Sequence, residues 1–460
     1  MEKSRNMEKL KENKTRNIII AVVAILVIAL FIHEQNYRKA VNVIDQQIQG
    51  ENFVVTLDGP GSCYLGQELN KDPGVWVKSD ENNVCSLPIT EYKTNLYIRN
   101  VNGFNCGKIE DLELSYIESV KITSGDVYLA IDGKERLTYE TEYKGNINEK
   151  VVLKSADESI ATIDEDNVIH GVSVGETKIT ATFGEKTDSV NVLVTDLIVA
   201  APREFDVYKP YLGCGYYTKE ENDLLDKILA SRVEKVGWHT RAGVVEAARF
   251  LALEFPYRIN YFVENGRVAS YVGSFADGEG RYYHVGLYLD PSRYANLDQS
   301  MIYGGPGCWG CAINEFSKNR MARNGLDCSG FVAWAILNGG FDCRDLGAGI
   351  AQDWPDLTDL GEKKVLSEEL KEDKLRVGDL LSGPFGGTVF DGGHIAIVAG
   401  IDKEGYIYIA EELGYADAWG YFIKKYDKSS LLHYFYYRVD MEKYYTDGDG
   451  NLTNFWIEGE

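Results

Sequence analysis

The sequence predicts an α+β chain of several domains, and three observations carry that reading. Residues 18–32 are an unbroken apolar run. Between residues 51 and 197, apolar and polar residues alternate in short stretches broken by Gly and Asn, the period of half-buried strands. From residue 219 onward, helical spacings are interleaved with short apolar strands. A length of 460 residues leaves room for two or three domains beyond the apolar run.

The apolar run Ile18–Ile32 follows Lys9, Lys11, Lys14 and Arg16. Its 15 residues sit at the upper end of a signal-peptide core and just short of the ~20 of a typical span. The chain continues His33-Glu34-Gln35-Asn36-Tyr37, with no small-residue cleavage site. The expectation is therefore an uncleaved signal anchor: a cytoplasmic basic tail at 1–17, a transmembrane helix at 18–33 and a polar helix or stalk at 34–50. Positive charge stays on the cytoplasmic side, which places the bulk of the chain outside, on the cell-wall side. A net charge of −23, with no basic cluster beyond the first 16 residues, argues against nucleic acid as a partner. An aromatic content of 12%, including 30 tyrosines, fits folded β-rich domains that handle carbohydrate or peptide.

Residues 51–115 read as a small all-β module of unknown type, with strands such as Asn52–Leu57 and Asn95–Arg99. Residues 116–197 are more specific. Strand alternation opens at Glu118-Ser119-Val120-Lys121-Ile122-Thr123 and passes through Ser159-Ile160-Ala161-Thr162-Ile163 and Gly175-Glu176-Thr177-Lys178-Ile179-Thr180-Ala181. It closes at Ser189-Val190-Asn191-Val192-Leu193-Val194. This stretch resembles a bacterial Ig-like domain of the second group, and about seven short alternating strands suit its two-sheet sandwich. The resemblance implies a spacer or an adhesive module, with contacts to surface proteins or the cell wall.

A linker at 198–218, with Pro202 and Pro210, leads to Thr218-Lys219-Glu220-Glu221, a capping box before a helix that runs to about Val236. A second helix is expected over Arg241–Glu254, with Val244, Val245, Ala248, Leu251 and Ala252 on helical spacing. Further on, Gly325-Leu326-Asp327-Cys328-Ser329-Gly330-Phe331-Val332 places a cysteine at a loop-to-helix junction. Phe331, Val332, Ala335 and Ile336 then form the buried stripe of an amphipathic helix. A thiol in the first turn of a helix faces unpaired N–H groups and the positive end of the dipole, which favours its reactive form. A base is available at His394, which opens the strand-like Gly393-His394-Ile395-Ala396-Ile397-Val398-Ala399-Gly400.

Asp327-Cys328-Ser329-Gly330, then Leu375-Arg376-Val377-Gly378-Asp379-Leu380, then His394 in an apolar strand resembles the NlpC-type cell-wall cysteine peptidases. The likeness covers roughly residues 238–440. It implies a domain at 219–445 with a papain-like fold, helices packed on an antiparallel sheet, and neither cofactor nor metal. The catalytic residues it implies are Cys328 as nucleophile, His394 as base and Glu411 as the group that orients the imidazole. Many relatives carry histidine at that third position, and Glu412, on the opposite face of the strand, is the alternative. For substrate binding it implies that Asp327, Ser329 and Tyr261 (with Tyr257 second) hold the free amine of a peptide. The implied activity is cleavage of peptide bonds in peptidoglycan stem peptides. Amidase or transpeptidase chemistry on the same polymer is an alternative, as is a catalytically silent adhesion or scaffolding protein.

His284, in Tyr283-His284-Val285-Gly286-Leu287, precedes Cys328 and reads as an ordinary strand residue of an insertion at 262–324. His33, His170, His239 and His433 lack motifs. Eight cysteines leave seven beside Cys328, so full pairing is excluded. Two of Cys63, Cys85 and Cys106 can pair where the extracellular redox state permits, with the connectivity left open. Cys308-Trp309-Gly310-Cys311 lacks the further ligands of a zinc site and reads as a local disulfide or free thiols. The acidic tail at 446–460 has partial calcium-loop spacing from Asp447, but Leu452 replaces the turn glycine, so a solvated turn is expected.

Overall fold

The apolar run lies inside one long helix, α1 (Glu2–Tyr37). Its 36 residues span about 54 Å, well beyond the ~30 Å of a bilayer core. The segment Arg5–Tyr37 is long and apolar enough to cross a membrane, and its apolar window is unburied. The computed structural model describes residues 2–71, 74–201, 209–210, 216–261, 285–289, 307–308, 325–341, 343, 360–384, 393–413 and 420–452. The chain forms two compact units, one of residues 1–123, 138–154 and 180–189, the other of residues 124–137, 155–179 and 190–460.

In the first unit, α1 is followed by β1 (Val43–Gln49), β2 (Asn52–Leu57), β3 (Gly61–Gly66), β4 (Val77–Lys78), β5 (Val84–Pro88), β6 (Lys93–Asn100) and β7 (Asn105–Glu113). These make a sheet of order β1-β2-β5 and a second of order β4-β3-β6-β7. Phe53, Val55, Leu57, Cys85 and Leu87 from the first sheet share one core with Cys63, Leu65, Leu96 and Ile98 from the second. The stalk expected at 34–50 is corrected here. The helix runs on to Tyr37, whose carbonyl accepts from Asn100 Nδ2 at 2.7 Å, and Val43–Gln49 is an edge strand antiparallel to β2. Almost every residue of that strand is exposed, so it carries no apolar alternation to read.

The next stretch contributes β8 (Tyr116–Ile122), β9 (Val127–Ala130), β10 (Lys134–Arg136), β11 (Tyr139–Lys144), β12 (Val152–Ser155), β13 (Ala161–Ile163), β14 (Val168–Gly171), β15 (Gly175–Phe183) and β16 (Lys186–Thr195). Both units draw on these strands. In the first unit β8 and β11 pair antiparallel, and Val120, Ala181 and Phe183 make a small core. In the second unit β10, β14 and β13 form a sheet, and β16 runs parallel to β9. Buried positions alternate along β15 and β16, with Thr177, Ile179, Ala181 and Phe183 inside and Lys178 and Thr180 outside or half-buried.

The linker expected from residue 198 begins inside a core instead. Leu197 and Ile198 are buried in the same cluster as Leu225, Ile228 and Phe250, and Val199 N–H donates to Glu254 O at 2.9 Å. Helix α2 (Lys219–Val236) opens on the full capping box: Thr218 Oγ1 accepts from Glu221 N–H, and the Glu221 carboxylate accepts from Thr218 N–H. Helix α3 (Arg241–Arg249) is capped by Thr240 and then widens into a π-helical turn at Phe250–Glu254. The uniform helix expected over 241–254 therefore changes pitch for its last turn, where Phe255 N–H bonds Phe250 O five residues back.

The remaining elements are β17 (Asn260–Tyr261), β18 (Tyr288–Leu289), β19 (Gly307–Cys308), β20 (Gly325–Leu326), α4 (Cys328–Asn338), β21 (Lys363–Val365), β22 (Leu380–Pro384), β23 (Gly393–Ile401), β24 (Ile407–Leu413), β25 (Gly420–Tyr426) and β26 (Tyr437–Val439), with short helices at Leu366–Lys371 and Lys428–Tyr434. Six strands make one antiparallel sheet of order β21-β26-β22-β23-β24-β25. Helix α4 lies in one core with Ile395, Ile397, Ala399, Tyr408 and Ala410 of this sheet, while Ala396, Val398, Ile407 and Ile409 belong to a second cluster. Helix α4 is not amphipathic as expected. Cys328 through Ile336 are all buried, because α3 covers the side that the sheet leaves open.

The acidic tail also departs from expectation. Asp449 accepts from Arg376 Nη2 at 2.6 Å and from Arg241 Nε at 3.2 Å, and Gly448 O and Asp449 O accept from the first N–H groups of α3. The segment 446–452 is thus tied to the domain before it, and Asp449 is engaged by guanidinium groups.

Candidate active site

Strand β20 runs parallel to β17, with Asn260 opposite Gly325 and Tyr261 opposite Leu326. It delivers the chain directly to Asp327 and Cys328. Asp327 has an extended backbone and serves as the N-cap of α4: its Oδ1 accepts from Gly330 N–H at 2.7 Å and from Ser329 Oγ at 2.9 Å. The first helical residue is Cys328, buried at 4% exposure, with its thiol at the positive end of α4. The segment 285–289 fastens the far side of the helix, where Trp334 Nε1 donates to Gly286 O at 3.0 Å and Gly286 N–H donates to Asn338 Oδ1 at 2.8 Å.

His394 comes from β23 and Glu411 from β24. Ile397 pairs with Ala410 and Val398 with Ile409, so alternation puts His394 and Glu411 on one face of the sheet. His394 Nε2 lies 2.7 Å from Glu411 Oε2, and both side chains are almost fully buried. The imidazole also hydrogen-bonds the Cys328 thiol. Burial alone would lower the His394 pKa, but its hydrogen bonds to the Cys328 sulfur and the Glu411 carboxylate more than offset it and push it up to about 10. Glu412 is fully buried and shares the face of Tyr408 and Ala410, opposite Glu411.

The structure thus brings Cys328, His394 and Glu411 together, with Asp327 and Ser329 flanking the thiol. Tyr261 is placed by its backbone on the strand beside β20. Tyr257 packs edge-on against Tyr216, Tyr217 and Phe255, within an aromatic cluster. His284 and Cys311 lie outside the described residues. Cys63, Cys85 and Cys106 carry thiols, and no cluster of metal ligands occurs among the described residues.

Three groups stand behind the site, and only the Gly378-Asp379 motif among them gave a sequence signal. Tyr426 at the end of β25 donates its hydroxyl to Glu411 Oε1 at 2.8 Å, so one carboxylate oxygen is held by tyrosine and the other by histidine. Phe435 lies 5.6 Å from the His394 ring, centroid to centroid, and Gly383 makes that approach feasible. Gly383 faces His394 across the ladder, and a Cβ there would fall 1.9 Å from Tyr434 O. The third is the anchor of the Gly378-Asp379 motif. Asp379 is fully buried and accepts from Arg241 Nη1 at 2.8 Å and Arg438 Nε at 2.6 Å. Gly378, at φ +89°, leaves room for the Arg241 side chain, which a Cβ would meet at 2.4 Å. This motif pins α3 to the sheet rather than entering the site.

Comparison with known proteins places the β-rich stretch in a family. Residues 116–194 match the bacterial Ig-like domain (group 2), so the chain carries one such domain. No curated protein matches the chain. Among solved structures, domains 4 and 5 of the S-layer protein SbsC are similar at 20% identity and TM-score 0.18, covering 24% of this chain and 69% of that one. A C-terminal 282-residue fragment of intimin, solved with the intimin-binding domain of its translocated receptor, is similar at 13% identity and TM-score 0.25. It covers 34% of this chain, and this chain covers 64% of it, less than two thirds of its length. Domains 3–5 of Drosophila OTK are similar at 14% identity and TM-score 0.15, over 38% of this chain and 70% of that one.

Proposed function

We propose that this protein is a membrane-anchored cysteine peptidase acting on cell-wall stem peptides, with the Ig-like domain as an adhesive or spacing module. The single observation that carries the reading is the hydrogen-bonded run from Cys328 through His394 to Glu411, set at the N-terminus of a buried helix. In this reading the Cys328 thiolate adds to a peptide carbonyl, and the imidazolium of His394 gives its proton to the leaving amine. Water then hydrolyses the thioester, with His394 now taking a proton from it. Glu411 keeps the ring in register through both steps. Asp327 and Ser329 flank the thiol, where the free amine of a stem peptide would be held. The same thioester, resolved by an amine instead of water, would give transpeptidation.

A second reading, a surface adhesion or scaffolding protein without catalysis, is favoured by a different observation, the Ig-like domain at residues 116–194. Digestion of purified peptidoglycan, with the released fragments identified by mass spectrometry, separates the two. The peptidase reading expects new peptide termini from the native protein and none from Cys328→Ala. Equal release by both, or none by either, favours the adhesive reading.

A further inference from the structure

We propose that Cys63 and Cys85 form a disulfide that clips together the two sheets of the N-terminal β module, made by exchange with a disulfide-bearing oxidant as the module folds.

Cys63 sits on β3, opposite Val77 of β4 and Ile98 of β6, whereas Cys85 sits on β5, opposite Val55 of β2. The two cysteines therefore belong to different sheets of the module. Both are fully buried in the core those sheets share. The Cys85 thiol lies 3.5 Å from the carbonyl of Val77, the residue paired with Cys63, and the two thiols hydrogen-bond each other. Cys106, the third cysteine of the region, is turned elsewhere, with its thiol 3.3 Å from Phe104 O. A thiol pair in contact across a sandwich core is the juxtaposition that a disulfide between two sheets requires.

The chemistry also sets the time of formation. In the finished core both thiols are fully buried, out of reach of an oxidant. Exchange therefore occurs while the module is still opening and closing. One cysteine thiolate attacks a sulfur of the oxidant and forms a mixed disulfide, releasing one oxidant thiol. The second cysteine displaces the other, so two electrons and two protons leave with the reduced oxidant.

The test uses the full chain in detergent, reduced and unfolded in urea, then refolded in a glutathione buffer of fixed oxidised-to-reduced ratio. The product is quenched with iodoacetamide in urea and digested. We expect the peptides bearing Cys63 and Cys85 joined and lighter by two hydrogens than their sum, while Cys106 and Cys328 carry the label. The linked form should also unfold at higher urea than the same sample after reduction. Labelled Cys63 and Cys85, glutathione adducts on either, a link from either to Cys106, or an unchanged urea midpoint would overturn the proposal.

Discussion

Glu411 accepts two hydrogen bonds inside the sheet, from His394 Nε2 at 2.7 Å through Oε2 and from the Tyr426 hydroxyl at 2.8 Å through Oε1. A buried carboxylate is expensive unless its oxygens are occupied, and here each oxygen meets a side chain that matters to the imidazole. With both oxygens engaged, the carboxylate plane is fixed, and with it the ring plane and the nitrogen that faces Cys328.

Glu411→Gln keeps the shape and removes the charge. The amide can present its nitrogen to the ring and favour the wrong tautomer, so kcat on a defined stem peptide should fall by on the order of 10³-fold with KM little changed. Glu412→Gln changes a group on the opposite face and should leave kcat within about threefold of native, because it touches neither ring nitrogen. The reverse ranking would move the orienting role to Glu412.

The pH profile follows from His394. Its folded pKa is raised above the free-imidazole range to about 10, so the imidazolium persists through neutral pH and its proton is lost only in strong alkali. The alkaline limb of kcat/KM should therefore lie near that value, and Glu411→Gln should move it toward neutrality. The stability sign agrees: the contribution is complete below the unfolded histidine pKa and fades as pH rises through the folded one. Urea midpoints of the full chain in detergent should accordingly decline toward alkaline pH, and less so in Glu411→Gln.

Much of this arrangement is legible in the sequence because local rules act locally. The capping box at Thr218 and Glu221, the cap at Asp327 and the strand alternation of the Ig-like domain each depend on residues a few positions apart. What escapes is long-range or unpatterned. Tyr426 meets Glu411 only because β25 pairs with β24, and nothing in Gly420–Tyr426 marks that tyrosine among the chain's 30. Edge strand β1 is exposed on both faces, and its apolar residues Val43, Ile44 and Ile48 do not alternate, so it has no period to detect. Helix α4 was readable as a helix, but its burial on every side depends on α3, more than seventy residues earlier in the chain.

Asp379 should be a stability residue rather than a catalytic one. It is fully buried between Arg241 and Arg438, themselves buried, and burial pushes its carboxyl up against the pull of both guanidinium groups. Asp379→Asn leaves the two cations without their shared anion, which should lower the unfolding free energy by ~3–5 kcal/mol. Urea unfolding checks this. A midpoint within error of native would mean that Glu369 and Glu442 suffice as partners for Arg438 and Arg241.

Tyr426→Phe isolates the hydroxyl behind Glu411. The ring keeps its edge-on packing against Phe435, so little should change in the core, and the loss is confined to one donor on a buried carboxylate. Without that donor Glu411 can turn about its last bond, and the imidazole loses its fixed plane. We expect kcat to fall about tenfold with KM unchanged, since orientation matters to the transition state more than to binding. Alkylation of Cys328 by iodoacetamide, followed across pH, reads the same relay without substrate. In the native protein the pH dependence should reflect a thiol held by His394, and in Tyr426→Phe it should shift toward that of Glu411→Gln. If the native profile is that of an ordinary thiol, the relay itself is absent. If the native profile is perturbed and Tyr426→Phe leaves it unmoved, the tyrosine is only part of the packing.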